Sequence, residues 1–179
     1  MILKKVFILS FNSYMYLAIK DLVCPSYACE HNFWDLKKIK NIKLGSEFIL
    51  DAKTMPFNDA VLTRMENLKK KCTLNILLDR LSISSLILLG FDFSGVNFIE
   101  YIDDKLCSTN VQFNKLTNSE VEIFRLLRVY NDLKLISLVT NKSIKTISTQ
   151  KNAGMKKLRI YNNAELAFVI SRVSLSTRF

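Results

Sequence analysis

Between residues 143 and 158 the chain sets Lys145, Thr149, Asn152 and Lys156 at intervals of four, three and four, which puts all of them on one side of a helix. Their ammonium, hydroxyl and carboxamide groups are those that bond base edges and neutralise phosphates. The other side carries Ile144, Ile147, Met155 and Leu158, so the segment predicts a helix buried along one face and functional along the other. Other chemistry is sparser. Asp51 ends an apolar run, but a lone carboxylate holds a divalent cation poorly, and capping a turn at a strand end is the stronger reading. Cys24, Cys29 and His31 lie close in sequence, yet their spacing matches no standard zinc site and a fourth ligand is not evident. Phe33 and Trp34 read as core, and His31 alone supports no catalytic role. The expectation is a protein that is not an enzyme and carries no metal or cofactor.

The charge balance supports the same segment. The chain has 26 Lys and Arg against 16 Asp and Glu. Residues 1–110 hold 14 basic and 12 acidic side chains, whereas residues 111–179 hold 12 and 4, so most of the positive surplus lies in the last third. A polyanion-binding module shows this asymmetry, because each phosphate it neutralises releases counterions. The four cysteines include no C-x-x-C pair and are read as reduced thiols of a cytoplasmic protein. Two lysines before an apolar run give the N-terminus a superficial likeness to a signal peptide. Ser10, Asn12 and Ser13 interrupt that run, and a buried first strand explains it better. No stretch approaches the roughly 18 apolar residues of a membrane span, so no membrane partner is expected.

The elements needed to position these residues are legible in outline. Residues 4–10 read as a strand, and Asn12 and Ser13 cap a helix carrying Leu17, Ala18 and Leu22. A second strand at 47–51 ends near Pro56. Asn58 or Asp59 then caps a helix with Val61, Met65, Leu68 and Cys72 on one face, closing on Lys69, Lys70 and Lys71. Two more strands, at 74–78 and 96–101, flank a segment that holds a short helix. Alternation of strands and helices predicts a mainly parallel sheet. Residues 103–115 are polar and mixed and read as the boundary. Beyond it the pattern is helical: Thr117 and Glu120 form a capping box for a helix burying Val121, Phe124 and Leu127. Asn131 or Asp132 caps a short helix with Leu135, Ile136 and Val139, residues 140–142 turn, and Ser143 caps the third helix. Asn162 and Glu165 open a fourth, with Leu166, Val169, Ile170 and Val173 inward.

On these residues the stretch 116–173 resembles the four-helix LuxR/GerE-type helix-turn-helix DNA-binding domain of bacterial regulators. The run from Ser143 to Lys151 and the later Met155, Lys157 and Leu158 are most similar to the Rcs-type capsule regulators. The resemblance implies DNA contacts, to bases and phosphates, from Lys145, Thr146, Ser148, Thr149 and Asn152, with Lys142, Lys156 and Lys157 near phosphates. Two positions depart from the pattern: Tyr130 stands where a glycine is common, and Gly154 sits inside the recognition helix. Lys151 has a helical angle near the apolar face, from which its stem would snorkel toward phosphate.

The N-terminal region resembles a response-regulator receiver in its order of elements. A working receiver gathers carboxylates around a magnesium ion beside the phosphoacceptor, and here Ser10, Phe11 and Asn12 stand where the acidic pair should be. Asp79 replaces a Ser or Thr after one strand, and Glu100 replaces the lysine after another. The resulting fold class is an α/β receiver-like (pseudo-receiver) domain over residues 1–108, a linker over 109–115 and an all-α four-helix LuxR-type domain over 116–179. The function expected is a sequence-specific, phosphorylation-independent transcription regulator acting on promoter DNA as a homodimer or as a heterodimer with a related regulator, with RNA polymerase a further partner. The alternative is an interaction protein that sequesters another regulator through its N-terminal domain.

Overall fold

The computed structural model of the chain describes residues 6–23, 29–31, 45–55, 57–103 and 105–174. In chain order the elements are β1 (Val6–Leu9), α1 (Ser13–Val23), β2 (Cys29–His31), β3 (Glu47–Asp51), β4 (Phe57–Asn58), α2 (Asp59–Lys69), β5 (Thr73–Leu77), α3 (Arg80–Leu88), β6 (Val96–Ile102), β7 (Lys105–Thr109), α4 (Asn118–Tyr130), α5 (Leu133–Thr140), α6 (Ile144–Lys157), α7 (Asn163–Arg172) and β8 (Val173–Ser174). They fall into two units. One draws on the stretch up to Pro56, Ala60–Asp79 and Asp92–Val111, the other on Phe57–Asp59, Arg80–Phe91 and the chain from Gln112 onward.

The first unit is built on a six-stranded sheet in the order β2-β1-β3-β5-β6-β7. All neighbours are parallel except β6 and β7. β1, β3 and β5 read as near-continuous apolar runs because strands of such a sheet are buried on both faces. On one face Phe7 stacks on Phe48 with ring centroids 4.7 Å apart. On the other, Val6, Ile8, Ile49, Leu77 and Ile99 gather with Ile19 of α1. The buried face of α1 therefore differs from the expected one: Ile19 is buried and Met15 and Val23 pack beside it, while Leu17 and Ala18 are exposed. Asn12 does cap the helix, its Oδ1 accepting from the amides of Tyr14 and Met15 at 3.0 and 3.3 Å. In α2 the inward residues are Val61, Met65 and Leu68; Cys72 is buried beyond the helix end.

The polar stretch after Ile102 is not simply a connector. Asp103 takes a left-handed conformation (φ 47°) and the chain returns as β7, antiparallel along β6. Pairing with an existing strand edge decides this structure, and β7 has no buried residue that would have announced it. Among the described residues no helix is long and apolar enough to cross a membrane, and no group of three or more His, Cys, Asp or Glu gathers as a metal site. Cys24, Phe33, Trp34 and Pro56, with the side chains of Cys29 and His31, lie outside the described residues.

The second unit is mostly helical. The capping box at Thr117 is fully formed: the Glu120 amide donates to Thr117 Oγ1 at 3.3 Å and the Thr117 amide donates to Glu120 Oε2 at 2.7 Å. Each later helix also has its cap, at Asp132, Ser143 and Asn162. A small core of Ile123, Ile136 and Ile147 joins α4, α5 and α6. A larger one gathers Phe124, Met155, Leu158, Ile160, Leu166, Val169 and Val173, and Leu88 of α3 belongs to it. The faces of α4 and α5 are rotated from those expected. Ile123 and Phe124 are the buried apolar residues of α4, with Val121 and Leu127 half-buried, and in α5 only Ile136 is buried while Leu135 and Val139 are exposed. An eight-residue helix makes barely two turns, so three apolar positions do not define a single inward direction.

Gly154 is where α6 meets α4. A Cβ placed there would lie 2.6 Å from Phe124 Cε2 and 2.7 Å from its Cζ. Phe124 is almost fully buried, so its ring has little room to withdraw. Replacing a helical glycine by alanine ordinarily stabilises by about 1 kcal/mol, but overpacking a filled core costs roughly 1–3 kcal/mol. Gly154→Ala is expected to lose about 1–2 kcal/mol in urea unfolding. The double variant with Phe124→Leu should recover part of the loss relative to Phe124→Leu alone; a stabilised single variant would show that the ring yields.

Candidate nucleic-acid interface

The N-cap of α6 fixes where its exposed face begins. Ser143 Oγ accepts from the Thr146 amide at 3.1 Å and shares a hydrogen bond with Thr146 Oγ1 at 2.8 Å, so the Thr146 hydroxyl belongs to the cap. From that start, Ile147, Met155 and the following Leu158 turn into the core while Lys145, Thr149, Asn152 and Lys156 are exposed. Ile144, expected inward, is 44% exposed, because it is the first helical residue and precedes the turn that packs. The Thr149 hydroxyl donates to the Lys145 carbonyl at 2.9 Å, which leaves its oxygen lone pairs available as acceptors.

The remaining cations have different surroundings. Lys145 and Lys156 are exposed and have no ion-pair partner among the described residues. Lys142 is half-buried, 3.6 Å from Glu122 Oε2, and its carbonyl accepts from the Ser137 hydroxyl. Lys157 is bound to buried Glu120 at 2.8 Å. Burial disfavours a charged Glu120, but the Lys157 ammonium together with the Thr117 amide and hydroxyl outweighs it and holds the carboxyl below its ordinary range. Lys151 does not reach outward toward a phosphate: its ammonium donates to Asn163 Oδ1 at 3.0 Å, tying α6 to α7. Ser148 is half-buried at the border of the exposed face.

Two residues that meet at the end of α6, Arg159 and Arg80 of α3, had no signal in the sequence. Arg159 follows the helix with φ 54°, a conformation usually given to glycine or asparagine, and its side chain is exposed. Its carbonyl accepts from Arg80 Nη1. Arg80 also forms a bidentate pair with Glu165, at 2.7 and 2.9 Å, and lies 4.6 Å from the centroid of the Tyr161 ring. Ser84 donates to the Leu158 carbonyl at 2.7 Å, and Arg172 donates to Ser82 at 2.7 Å. α3 thus fastens the corner between α6 and α7.

The first unit contains the other site singled out by sequence. Asp51 is 1% exposed at the end of β3. Its Oδ2 accepts from the hydroxyls of Ser10 at 2.6 Å and Thr54 at 2.9 Å, and its Oδ1 accepts from the Lys53 amide at 3.1 Å. It binds together the turns that follow β1 and β3. Glu100 is half-buried and accepts from the Thr109 hydroxyl at 3.2 Å, across the β6–β7 pair.

No family model matches the chain, and no curated protein sequence matches it. Solved structures do. One, of two RcsB dimers bound to two parallel DNAs, superposes with a TM-score of 0.65 over 96% of this chain and 99% of that chain, at 18% identity. The chain shares the RcsB fold. RcsB of Salmonella enterica serovar Typhimurium, bound to a promoter in the presence of phosphomimetic BeF3-, gives a TM-score of 0.61 over the same shares at 18% identity. The two-component response regulator RcsB in a DNA complex gives 0.60 at 19%, again over 96% and 99% of the two chains.

Arg80 and the Tyr161 amide hold the Glu165 carboxyl down to about 2, from an ordinary value of 4.5. A depressed carboxyl contributes stability that is present above its unfolded value and is lost as pH falls through the folded one. Stability should therefore decline between pH 4.5 and about 2, and Glu165→Gln should make that decline shallower in acid titrations followed by circular dichroism. An unchanged slope would mean that the pair contributes nothing to folding.

Proposed function

We propose that the protein is a sequence-specific DNA-binding transcription regulator whose helices α4 to α7 form a LuxR-type helix-turn-helix domain, with α6 as the recognition helix. The observation that carries the reading is the exposed row of Lys145, Thr149, Asn152 and Lys156 opposite a buried row of Ile147, Met155 and Leu158. α6 contains no acidic residue, and likeness to a fold solved in complex with DNA supports the same reading. Asn152 carries the carboxamide that pairs with the N6 and N7 edge of adenine. Thr149, whose proton is engaged by the Lys145 carbonyl, would accept from a base amino group or touch a thymine methyl. Lys145 would reach guanine or a phosphate, with Ser148 at the border of the base-reading face. Lys156, and less directly Lys142 and Lys157, would hold the backbone.

A lone unit of this size grips DNA weakly, so the protein would act as a homodimer or with a related regulator, in the cytoplasm, through contacts that include RNA polymerase. Control would not require phosphorylation of Asp51. That carboxylate already accepts from two hydroxyls and an amide, and three or more metal-ligating side chains do not gather around it among the described residues.

The test is binding of the full chain to duplexes it selects from a random pool, measured by anisotropy at several salt concentrations. Affinity should fall steeply with salt. Lys145→Ala should cost about 1–3 kcal/mol on the selected duplex if the lysine pairs with a base, and should lower binding to all sequences alike if it meets only phosphate. Unchanged affinity for both selected and scrambled DNA would reject this face. Acetyl phosphate with magnesium should leave binding unaltered in the natural protein, and Asp51→Asn should bind as well as it does; a phosphate-dependent rise lost in that variant would restore a receiver role.

A further inference from the structure

Next to the exposed row of α6 is an open pocket of about 350 Å3 lined by Asn152, Met155, Lys156, Arg159, Ile160 and Tyr161. Met155 and Ile160 are buried and form its apolar floor, while the other four are exposed and supply its polar rim. Two of the four are cations, no acidic residue lines the pocket, and neither Lys156 nor Arg159 has an ion-pair partner among the described residues. A carboxamide, a phenol and two cations around a shallow apolar floor match a phosphodiester, whose oxygens accept from all of them.

The backbone at Arg159 gives independent support. A long side chain at φ 54° is disfavoured relative to glycine, and a positive φ at such a residue persists only where the surroundings enforce it. Here they do: Arg80 holds the Arg159 carbonyl and is itself fixed by Glu165 and Tyr161. The fold therefore holds a long side chain in a conformation that suits glycine, with no ion-pair partner for its guanidinium among the described residues. Glycine would satisfy the turn better, so the turn itself gives no reason for an arginine here.

We infer that Arg159, with Lys156, Asn152 and Tyr161, seats a phosphate of the DNA backbone beside the bases read by α6, and that Arg159 is a binding residue outside the recognition helix itself. The inference rests on the DNA-binding reading above and adds one phosphate contact to it. Because backbone contact does not depend on sequence, the probe is a duplex of about 25 base pairs of arbitrary sequence, titrated with the full chain at several salt concentrations.

Arg159→Gly is the decisive variant, since it removes the guanidinium while giving the turn the residue its φ prefers. Its thermal stability should equal or exceed that of the natural protein, its affinity should fall by roughly 3- to 10-fold, and its log–log salt slope should shrink by about one. Arg159→Lys should keep most of the slope. If the natural protein binds with a steep salt dependence and Arg159→Gly matches it in affinity and slope, the phosphate seat is wrong and the DNA-binding reading stands. If the natural protein shows no salt-sensitive binding, the reading itself fails. Displacement of DNA by inorganic phosphate in the natural protein but not in Arg159→Gly, at constant ionic strength, would make the pocket a small-anion site and overturn the backbone assignment.

Discussion

The contact of Gly154 with the Phe124 ring is the constraint on which the exposed face of α6 depends. A helix packed over a flat ring without an intervening Cβ sits closer than side chains ordinarily allow, and this closeness fixes its rotation. With α6 in that register, Ile147 meets Ile123 and Ile136 while Met155 and Leu158 enter the larger core. Lys145, Thr149, Asn152 and Lys156 are then turned outward together. The capping box at the start of α4 contributes to the same junction, because Glu120 accepts both the Thr117 amide and the Lys157 ammonium. A buried carboxylate without that cation would carry the full cost of desolvation. The N-terminus of α4 and the C-terminus of α6 are consequently held by one side chain, one turn away from the glycine contact.

Positive charge in the last third of the chain is divided by geometry into two groups. Lys157, Lys151 and Arg172 are engaged by Glu120, Asn163 and Ser82, and Arg80 brings a further cation from far away in sequence to Glu165. These hold helices together. Lys145, Lys156 and Arg159 have no such employment among the described residues and lie along one side of α6 and its end. Net charge predicts attraction to a polyanion but not which cations deliver it. The contribution of Arg80–Phe91 has a related cause. Four short helices, one with a single buried residue, enclose little apolar volume, and a chain segment of that size is marginal by itself. Leu88 supplies part of the missing core and Arg80 and Ser84 cap carbonyls at the end of α6.

What the sequence made legible follows from how local each feature is. Caps are local: Thr117, Asp132, Ser143 and Asn162 each sit within three residues of the amide they satisfy, and residue type alone marked three of these helix starts and narrowed the fourth to Asn131 or Asp132. β1, β3 and β5 were legible because burial on both faces leaves a nearly unbroken apolar run, whereas the three-residue β2 (Cys-Glu-His) carries no such run and was not read. Faces of short helices were less so, since Leu135, Val139 and Ile144 are apolar yet exposed, and apolar composition fixes no direction over two turns. β7 was invisible because its pairing with β6 uses backbone groups that every sequence has. Arg159 and its fastening by Arg80 depend on residues 79 positions apart, a relation that periodicity cannot carry.

Asp51 shows how a residue at a familiar position acquires a different role through its neighbours. An acyl phosphate at a carboxylate needs an accessible oxygen and positive charge to balance the new dianion. At Asp51 one oxygen is taken by the hydroxyls of Ser10 and Thr54 and the other by the Lys53 amide, with 1% of the residue exposed. Phosphorylation would have to break these bonds, and among the described residues no group of carboxylates stands ready to bring in a metal. The Ser10 hydroxyl donates a 2.6 Å hydrogen bond to Asp51 Oδ2, so the carboxylate clasps the turns after β1 and β3.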